Sequence, residues 1–289
     1  MSFSSEVKSE LCKIKLHKSC CLLAECAGML LFSRRLEREK ISFYTEYGCV
    51  AEHLCYLLKK RFKITAEHIV TDGGVNKVTV PDAPDRETIV SRFKDGDKPS
   101  DSFLKNDCCV SAFLRGIFLA CGSVSDPNKE YRVEFVCPSH LMAQYLYGLL
   151  SGIIENPKIA ERDGVYYVYY KHSEAIEDML TTIGAVNSSL SVMEIKVVKD
   201  MRNKVNRVSN FENANFVKTV HAASDQNDAI EKLINTGVLD SLPDQLRQTA
   251  ILRRDNPDAS LSQLCALSGC SRSGLNHRLK RLIEIADKL

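Results

Sequence analysis

The chain has 289 residues, and its 44% hydrophobic and 26% charged residues are typical of a globular protein large enough for two domains. Its 39 Lys and Arg residues nearly balance 37 Asp and Glu residues, so net charge alone cannot attract a polyanion. Any binding of a polyanion would need local clusters of positive charge. Interspersed charges in residues 1–18 exclude a secretory signal, and no stretch reaches the roughly 20 apolar residues that span a bilayer. We therefore expect a cytoplasmic protein without membrane contact.

The first predicted elements, in residues 19–95, follow the order helix, strand, helix, strand pair, helix. Their bounds are a helix at Ser19–Ser33, a strand at Ile41–Tyr47, a helix at Val50–Phe62, strands at Lys63–Thr71 and Asn76–Val80, and a helix at Arg86–Phe93. The turn Asp72-Gly73-Gly74 joins the two paired strands. A polar link, Lys94–Ser102, follows this unit.

The same order of elements returns in residues 107–184. The bounds are a helix at Cys108–Cys121, a strand at Tyr131–Cys137, a helix at Ser139–Ile153, a strand pair that turns at Asp163-Gly164 and runs through Val165–Lys171, and a helix at Ser173–Ile183. Gly28 and Gly116 hold equivalent places, 88 residues apart. Residues 1–186 are therefore predicted to form an α+β domain made of two copies related by a pseudo-twofold axis.

Each copy carries a glycine in the middle of its first predicted helix. Such a glycine costs about 1 kcal/mol relative to alanine, so its presence at both matching places calls for a compensating contact. Close approach of two backbones is the usual compensation. We therefore predict that the helices of Gly28 and Gly116 pack against each other at the pseudo-twofold axis.

The two glycine-bearing segments are Cys26-Ala-Gly-Met-Leu-Leu-Phe-Ser-Arg34 and Leu114-Arg-Gly-Ile-Phe-Leu-Ala-Cys-Gly122. They resemble degenerate copies of the LAGLIDADG motif. With the C-terminal region, they make the whole chain resemble the WhiA family of bacterial regulators of sporulation and cell division. In active LAGLIDADG homing endonucleases, the eighth motif position is an acidic residue that holds a divalent metal at the scissile phosphates. Here those positions are Ser33 and Cys121.

This departure from the motif predicts a protein that is not an enzyme. Magnesium needs hard oxygen ligands, usually carboxylates, and a serine hydroxyl and a neutral thiol do not supply them. Asp126 follows the second motif, but after the first motif no acid occurs before Glu37. We therefore expect Ser33 and Cys121 to be vestigial positions, with no metal site and no cofactor.

The twelve cysteines include no C-x-x-C pair, the spacing that structural zinc sites often use. Half of them stand among apolar neighbours: Cys20, Cys21, Cys26, Cys55, Cys109 and Cys121. This pattern predicts buried free thiols rather than disulfides or ligands.

Residues 187–221 are predicted to form a basic linker helix. Projected at roughly 100° per residue, one face carries Lys196, Lys199, Arg202, Asn203, Asn206, Arg207 and Asn210. The opposite face, which we expect to dock on protein, carries Val197, Val198, Met201, Val205 and Val208. The segment Arg202–Asn215 also resembles a WhiA signature. Its basic and amide side chains are suited either to DNA contact or to a structural role that ties the linker to neighbouring loops.

Residues 222–289 are predicted to form a helix-turn-helix domain. A short helix near Asn227–Asn235, ending at Gly237, begins it. Three helices follow: one from Pro243 to about Arg254, one that starts with the capping box Ser260-Leu-Ser-Gln263 and reaches Leu267, and one from Ser271 to about Ala286 after a turn at Gly269. A short helix, a glycine turn and a longer basic helix is the order of a helix-turn-helix.

The last helix supplies the predicted DNA contacts. Its apolar positions, Leu275, Leu279 and Leu282, are expected to meet Leu261, Leu264 and Cys265. The candidate DNA-binding residues are Ser271, Arg272, Ser273, Asn276, His277, Arg278, Lys280 and Arg281. Residues 271–282 include four Lys or Arg and no acid, as expected of a helix whose start enters the major groove while basic flanks hold phosphates. The resemblance further implies similarity to sigma factor region 4 and promoter recognition.

The favoured hypothesis is a sequence-specific, nucleoid-associated transcriptional regulator of cell division, chromosome segregation or sporulation. The resemblance implies double-stranded DNA as partner, with RNA polymerase and its sigma factor, or cell-division proteins, as further candidates. The alternative is a metal-dependent endonuclease with relocated ligands. In a third hypothesis the N-terminal domain binds only protein or a small ligand, because the charges of its strands are mixed. They are Lys40, Lys77, Arg132 and Lys171 against Glu39, Glu46 and Glu134.

Overall fold

In the computed structural model, which describes residues 2–33, 35–96 and 98–289, the chain divides into two compact units, Met1–Lys199 and Asp200–Leu289. The helices of the first unit are α1 (Phe3–Cys12), α2 (Ser19–Leu31), α3 (Gly48–Phe62), α4 (Ala83–Phe93), α5 (Asp107–Cys121), α6 (His140–Ser151), α7 (Ser173–Ile183) and the first part of α8 (Val186–Asn235). Its strands are β1 (Arg35–Leu36), β2 (Ile41–Thr45), β3 (Glu67–Val70), β4 (Asn76–Thr79), β5 (Lys94–Asp95), β6 (Lys98–Pro99), β7 (Gly122–Val124), β8 (Val133–Cys137), β9 (Lys158–Arg162) and β10 (Val165–Tyr170).

The strands form two equivalent four-stranded antiparallel sheets. The first has the order β1-β2-β4-β3 and the second the order β7-β8-β10-β9. This identical order confirms the predicted duplication. Strands β1 and β7, which continue from the motif helices, were not predicted, and β5 and β6 form a small ribbon inside the segment predicted as an irregular link.

Helices α2 and α5 pack through their backbones at the two glycines. A Cβ placed on Gly28 would lie 2.9 Å from the amide nitrogen of Ile117 and 3.1 Å from the Cα of Gly116, and closer still to the Phe113 carbonyl oxygen. Since any side chain there would collide with the facing helix, the predicted contact at the pseudo-twofold axis is confirmed.

Helix α1 completes this core and was not predicted. Val7 and Leu11 are fully buried, and the ammonium group of Lys8 donates a hydrogen bond of 3.3 Å to the Leu119 carbonyl at the end of α5. The charges at Glu6, Lys8 and Glu10 therefore belong to a helix that is buried along one side.

Helix α8 differs from the prediction in length and in packing. The linker helix and the short helix near residues 227–235 are one continuous helix, which ends just before Gly237 at a φ of +71°. The apolar face expected to dock is exposed instead: Val197, Val198, Met201, Val205 and Val208 are all between 51% and 65% accessible. An amphipathic pattern predicts which residues share a face but not whether a partner covers that face.

The second unit contains the last part of α8, a 3₁₀ turn at Val238–Ser241, and helices α9 (Asp244–Asp255), α10 (Leu261–Ser268) and α11 (Arg272–Ala286). Both halves of the predicted capping box form: the Ser260 amide donates to Gln263 Oε1 at 2.8 Å, and the Gln263 amide donates to Ser260 Oγ at 3.3 Å. Gly269 takes a φ of +67° at the turn. These three helices therefore begin and end within two residues of their predicted bounds.

Among the helices in the described ranges, none has both the length and the apolar character that a bilayer crossing requires.

Candidate nucleic-acid interface

Helix α11 has one buried side and one exposed side. Leu275, Leu279 and Leu282 are almost completely buried and share a core with Leu264 of α10. Leu261 and Cys265 pack against the same core, as predicted. The polar residues of α11 are consequently held on the opposite side.

The turn before α11 is stabilised by local hydrogen bonds. Ser271 Oγ accepts the Gly274 amide at 3.3 Å, which satisfies one of the free N–H groups at the helix start. Before α10, Arg253 is buried and its Nη1 donates to the Ala259 carbonyl at 2.6 Å. Burial lowers the pKa of Arg253. Ser271, a predicted DNA-contact residue, is also the N-cap of α11, whereas the role of Arg253 was missed.

The remaining predicted contact residues differ in how free they are. Arg272, Ser273, His277, Lys280 and Arg281 are exposed, whereas Asn276 and Arg278 are half-buried. Two of the cations have intramolecular partners. Arg278 Nη1 donates to Cys270 Sγ at 3.5 Å, and Arg281 Nη1 lies 2.8 Å from Glu284 Oε2.

Arg272 and Lys280 are the cations of this face with the least competition. Among the described residues, no ion pair involves either side chain. Hydrogen bonding from Arg281 lowers the pKa of Glu284, so that pair places a carboxylate beside the end of the face. The exposed face of α11 is therefore most strongly cationic from Arg272 to Lys280.

The basic face of the linker helix divides into two parts. Lys196 Nζ lies 2.6 Å from Glu174 Oε1 and 3.6 Å from Glu177 Oε1, and Lys199 Nζ donates to the Pro127 carbonyl at 2.6 Å. Both lysines thus hold the start of α8 on the first unit. The other members of the predicted face are exposed: Arg202, Asn203, Asn206, Arg207 and Asn210.

The two vestigial motif positions lie at the ends of α2 and α5. Ser33 Oγ donates to the Leu30 carbonyl at 2.6 Å. At Cys121, desolvation raises the pKa of the thiol well above its ordinary value. The amine of Lys8, whose own pKa is lowered by burial, interacts electrostatically with this thiol.

These donors do not fit the divalent metal of the active homing endonucleases. The Ser33 hydroxyl is hydrogen-bonded to a carbonyl, and the other groups nearby are the Cys121 thiol and the Lys8 amine. None of them is a hard anionic oxygen ligand. Asp126 is occupied locally, because its Oδ1 accepts the Asn128 amide at 2.9 Å and the Asn128 side-chain amide at 3.1 Å. These hydrogen bonds lower the pKa of Asp126.

A buried charged cluster joins α2, α3 and α5, and the sequence reasoning missed it. Glu25 Oε1 lies 2.6 Å from His53 Nε2, and Glu25 Oε2 lies 2.8 Å from Arg115 Nε. Arg115 Nη1 also donates to the Ile183 carbonyl at 2.9 Å. The signal available in the sequence was a charged residue in each otherwise apolar motif helix, Glu25 and Arg115. All three side chains are buried, and their contacts join α2 to α3, to α5 and to the end of α7.

The sheet surfaces carry the mixed charges expected from the sequence. On the second sheet, Arg132 Nη2 lies 2.5 Å from Glu134 Oε2, and its guanidinium stands 4.9 Å from the centre of the Tyr169 ring. Arg162 similarly stands 5.6 Å from the Tyr167 ring. The Arg132 charge is compensated, while Lys158 and Arg162 on β9 are exposed.

Two family models match the chain. One described as the WhiA LAGLIDADG-like domain matches residues 110–202, and one described as the WhiA C-terminal HTH domain matches residues 205–286. Together they cover the second repeat, the linker helix and the three C-terminal helices.

Curated relatives match along the whole chain. "Probable cell division protein WhiA" of Alkaliphilus metalliredigens (strain QYMF) is 35% identical over 311 residues, covering 100% of this chain and 98% of the relative. The protein with the same description from Bacillus cereus (strain G9842) is 37% identical over 310 residues, covering 100% and 97%.

Solved structures give the same fold. Full-length DUF199/WhiA from Thermatoga maritima superposes with a TM-score of 0.63 at 25% identity, covering 100% of this chain and 99% of that chain. The N-terminal LAGLIDADG domain of DUF199/WhiA superposes with a TM-score of 0.53 at 23% identity over 63% of this chain. The predicted α+β fold, with a LAGLIDADG-like domain followed by a helix-turn-helix domain, is confirmed.

Proposed function

The chain belongs to the WhiA family, and on that premise we propose that it is a sequence-specific DNA-binding protein that regulates transcription. The observation that carries the proposal is the composition of α11, whose residues 271–282 include four Lys or Arg and no acid. This helix follows the capped helix α10 and the turn at Gly269. A helix of this kind enters the major groove with its first turns, while basic side chains at its edges hold phosphates.

Within this proposal the residues of α11 have different roles, for which their exposure and hydrogen bonds are the support. Arg272 and Ser273, in the exposed first turn, face base edges or the adjacent phosphates, and Asn276 and His277 follow one turn later. Lys280 serves as a phosphate contact. Arg278 and Arg281 contribute less than predicted, since each already has an intramolecular partner. Ser271 orients the helix as its cap.

The decisive experiment is to identify bound sites across the genome and then to measure affinity on purified DNA at one stated salt concentration. Full-length protein should bind a recovered site at least about 10³-fold more tightly than a scrambled duplex of equal length, which is the lower end for specific DNA-binding proteins. Equal affinity for the two duplexes would contradict sequence-specific recognition.

The contribution of the first unit to DNA binding is a separate proposal. Lys158 and Arg162 on β9 are exposed and lie on a sheet surface that also carries Tyr167 and Tyr169. Each phosphate contact contributes about 0.9 to the slope of log affinity against log salt. If this sheet binds DNA, the full-length Lys158→Ala/Arg162→Ala variant should lose about 1.8 of that slope. An unchanged slope would assign this sheet to a protein or small-ligand partner instead.

The biological setting of the proposal comes from the relatives, which are described as probable cell division proteins. We propose the same setting here, on the nucleoid, with chromosome segregation and sporulation as processes it could serve through the genes it controls. RNA polymerase with its sigma factor and cell-division proteins are the corresponding partners. Endonuclease activity is not proposed, because Ser33, Cys121 and Asp126 do not form a ligand set for a hard divalent ion.

A further inference from the structure

Both motif helices begin with a pair of cysteines. Cys20 and Cys21 lie in the first turn of α2, and Cys108 and Cys109 lie in the first turn of α5. The pairs are 88 residues apart, the same separation as Gly28 and Gly116. The pseudo-twofold axis that brings the glycines into contact therefore also relates the two cysteine pairs.

The sulfur atoms of the two pairs meet in space. Cys20 Sγ lies 4.0 Å from Cys21 Sγ, and the sulfurs of Cys20, Cys21 and Cys108 all lie within 4.8 Å of one another. The Cys21 thiol donates to the Cys108 carbonyl at 3.5 Å. Three sulfurs therefore form the cluster. The fourth thiol, Cys109, lies beside it: it interacts electrostatically with Cys20 and accepts a hydrogen bond of 3.9 Å from Asn106 Nδ2.

The three clustered sulfurs are spaced almost as they would be in a tetrathiolate metal site, in which we assign the fourth position to Cys109. Zinc bound by four cysteines has Zn–S distances of about 2.3 Å and tetrahedral angles, which corresponds to sulfur–sulfur distances of about 3.8 Å. The separations among the sulfurs of Cys20, Cys21 and Cys108 exceed this value by at most about 1 Å, a difference within reach of small side-chain rotations.

The surroundings compensate the charge that such a site would carry. Four thiolates and one Zn²⁺ have a net charge of −2, and the N-terminal ends of two helices favour negative charge. Lys18 Nζ lies 4.0 Å from Cys108 Sγ. Cys20 and Cys108 are half-buried while Cys21 and Cys109 are buried, which leaves an ion a route to the cluster from solvent.

We propose that Cys20, Cys21, Cys108 and Cys109 bind one thiophilic divalent cation, Zn²⁺, that joins the first turns of α2 and α5. The site is separate from the vestigial motif positions. The helix from Cys21 to Leu31 spans about 15 Å at 1.5 Å per residue, and Ser33 lies beyond its end. It replaces the expectation of no metal site, which rested on local C-x-x-C spacing. Here the ligands are adjacent in sequence within each pair and are assembled by the duplication.

The test uses full-length protein, reduced and stripped of metal, titrated with Co²⁺ alone and then with Zn²⁺ alone. Tetrahedral cobalt thiolate has a strong visible absorption, so wild-type protein should develop this band with an end point of one Co²⁺ per chain and lose it when Zn²⁺ is added. Zn²⁺ should also raise the thermal unfolding temperature, because it binds the folded state.

A matched pair of variants assigns the ligands. Cys20→Ser/Cys108→Ser removes the two half-buried thiols and should abolish both the band and the stabilisation by Zn²⁺. Cys55→Ser, at a half-buried cysteine of α3 outside the cluster, should retain both. Circular dichroism of the metal-free variants establishes that they are folded.

Three results would overturn the proposal. The first is wild-type protein that shows no thiolate band, and the second is a band that survives in Cys20→Ser/Cys108→Ser. The third is reduced protein without metal affinity whose two cysteine pairs form a disulfide in air, because a redox pair would then account for the cluster.

Discussion

Helices α2 and α11 are similar in length but differ in how much of their surface is buried. Eleven of the 13 residues of α2 are buried, against four of the 15 residues of α11. A helix that is enclosed beyond its first turn has few side chains left for a macromolecular partner, so substitutions along its length should change stability. A helix buried along one stripe can accept substitutions on its other face, and these should change binding instead. The comparison therefore separates two kinds of residue that both lie in helices.

The largest effect is expected when the buried cluster around Glu25 loses its anion. Glu25→Gln leaves the Arg115 guanidinium buried without a carboxylate, which should lower the free energy of unfolding by about 3 to 5 kcal/mol. Chemical denaturation of the full-length protein measures this loss. The DNA affinity of the folded fraction should stay unchanged, since α11 is untouched.

A triple variant distinguishes an unpaired charge from a simple packing defect. Glu25→Met/His53→Leu/Arg115→Met replaces the whole cluster with apolar side chains, and such replacements are often neutral or even stabilising. It should recover most of the stability lost in Glu25→Gln. If it is as unstable as the single variant, the ion pair is not the reason that these residues occur there.

The next effect concerns the backbone contact between the motif helices. Gly28→Ala places a methyl group 2.9 Å from the Ile117 nitrogen, and overpacking of this kind costs about 1 to 3 kcal/mol. Gly148→Ala is the matched control, because Gly148 lies in α6 with open space around its added Cβ. That substitution should stabilise the protein by up to about 1 kcal/mol through helix propensity. Opposite signs in denaturation experiments support the contact, and equal signs contradict it.

On α11 the expected effect moves from stability to binding. Arg272→Ala and Lys280→Ala should each weaken DNA binding by about 1 to 3 kcal/mol, while the free energy of unfolding changes by no more than about 0.5 kcal/mol. Lys288→Ala, an exposed lysine beyond the end of α11, serves as a charge control. Fluorescence anisotropy at fixed salt measures the affinities, and unchanged binding in the double variant would refute the assignment of α11.

The difference between the two helices also explains which features could be predicted from the sequence. The bounds of α10 and α11 depend on Ser260, Gly269 and Ser271, whose hydrogen bonds reach at most four residues along the chain. Local signals of that kind are visible in sequence. The match of Gly28 with Gly116 was also predictable, because the repeat supplies a second copy for comparison.

Features that depend on distant partners were not predictable in the same way. Glu25 pairs with residues 28 and 90 positions away, and nothing in its own neighbourhood identifies them. The cysteine cluster forms only when α2 and α5 pack against each other, because its members come from both helices. The continuity of α8 could have been predicted, because no glycine or proline occurs between Gly184 and Gly237. The exposure of its apolar face could not, because it depends on what packs beside the helix.

The smallest predicted effect tests whether stability and binding separate within the second unit itself. Ser260→Ala removes the hydroxyl that accepts the Gln263 amide in the capping box. This loss should lower the free energy of unfolding by about 1 kcal/mol. Ser262→Ala, at an exposed position inside α10, keeps the cap and should be neutral or slightly stabilising because alanine is the better helix former. At temperatures well below unfolding, both variants should bind DNA as tightly as the unmodified protein. A Ser260→Ala variant that keeps its stability but loses affinity would instead place the start of α10 at the DNA surface. In that case α10 as well as α11 would contain DNA-binding residues, and the residues that stabilise the second unit could not be separated from those that bind DNA by helix.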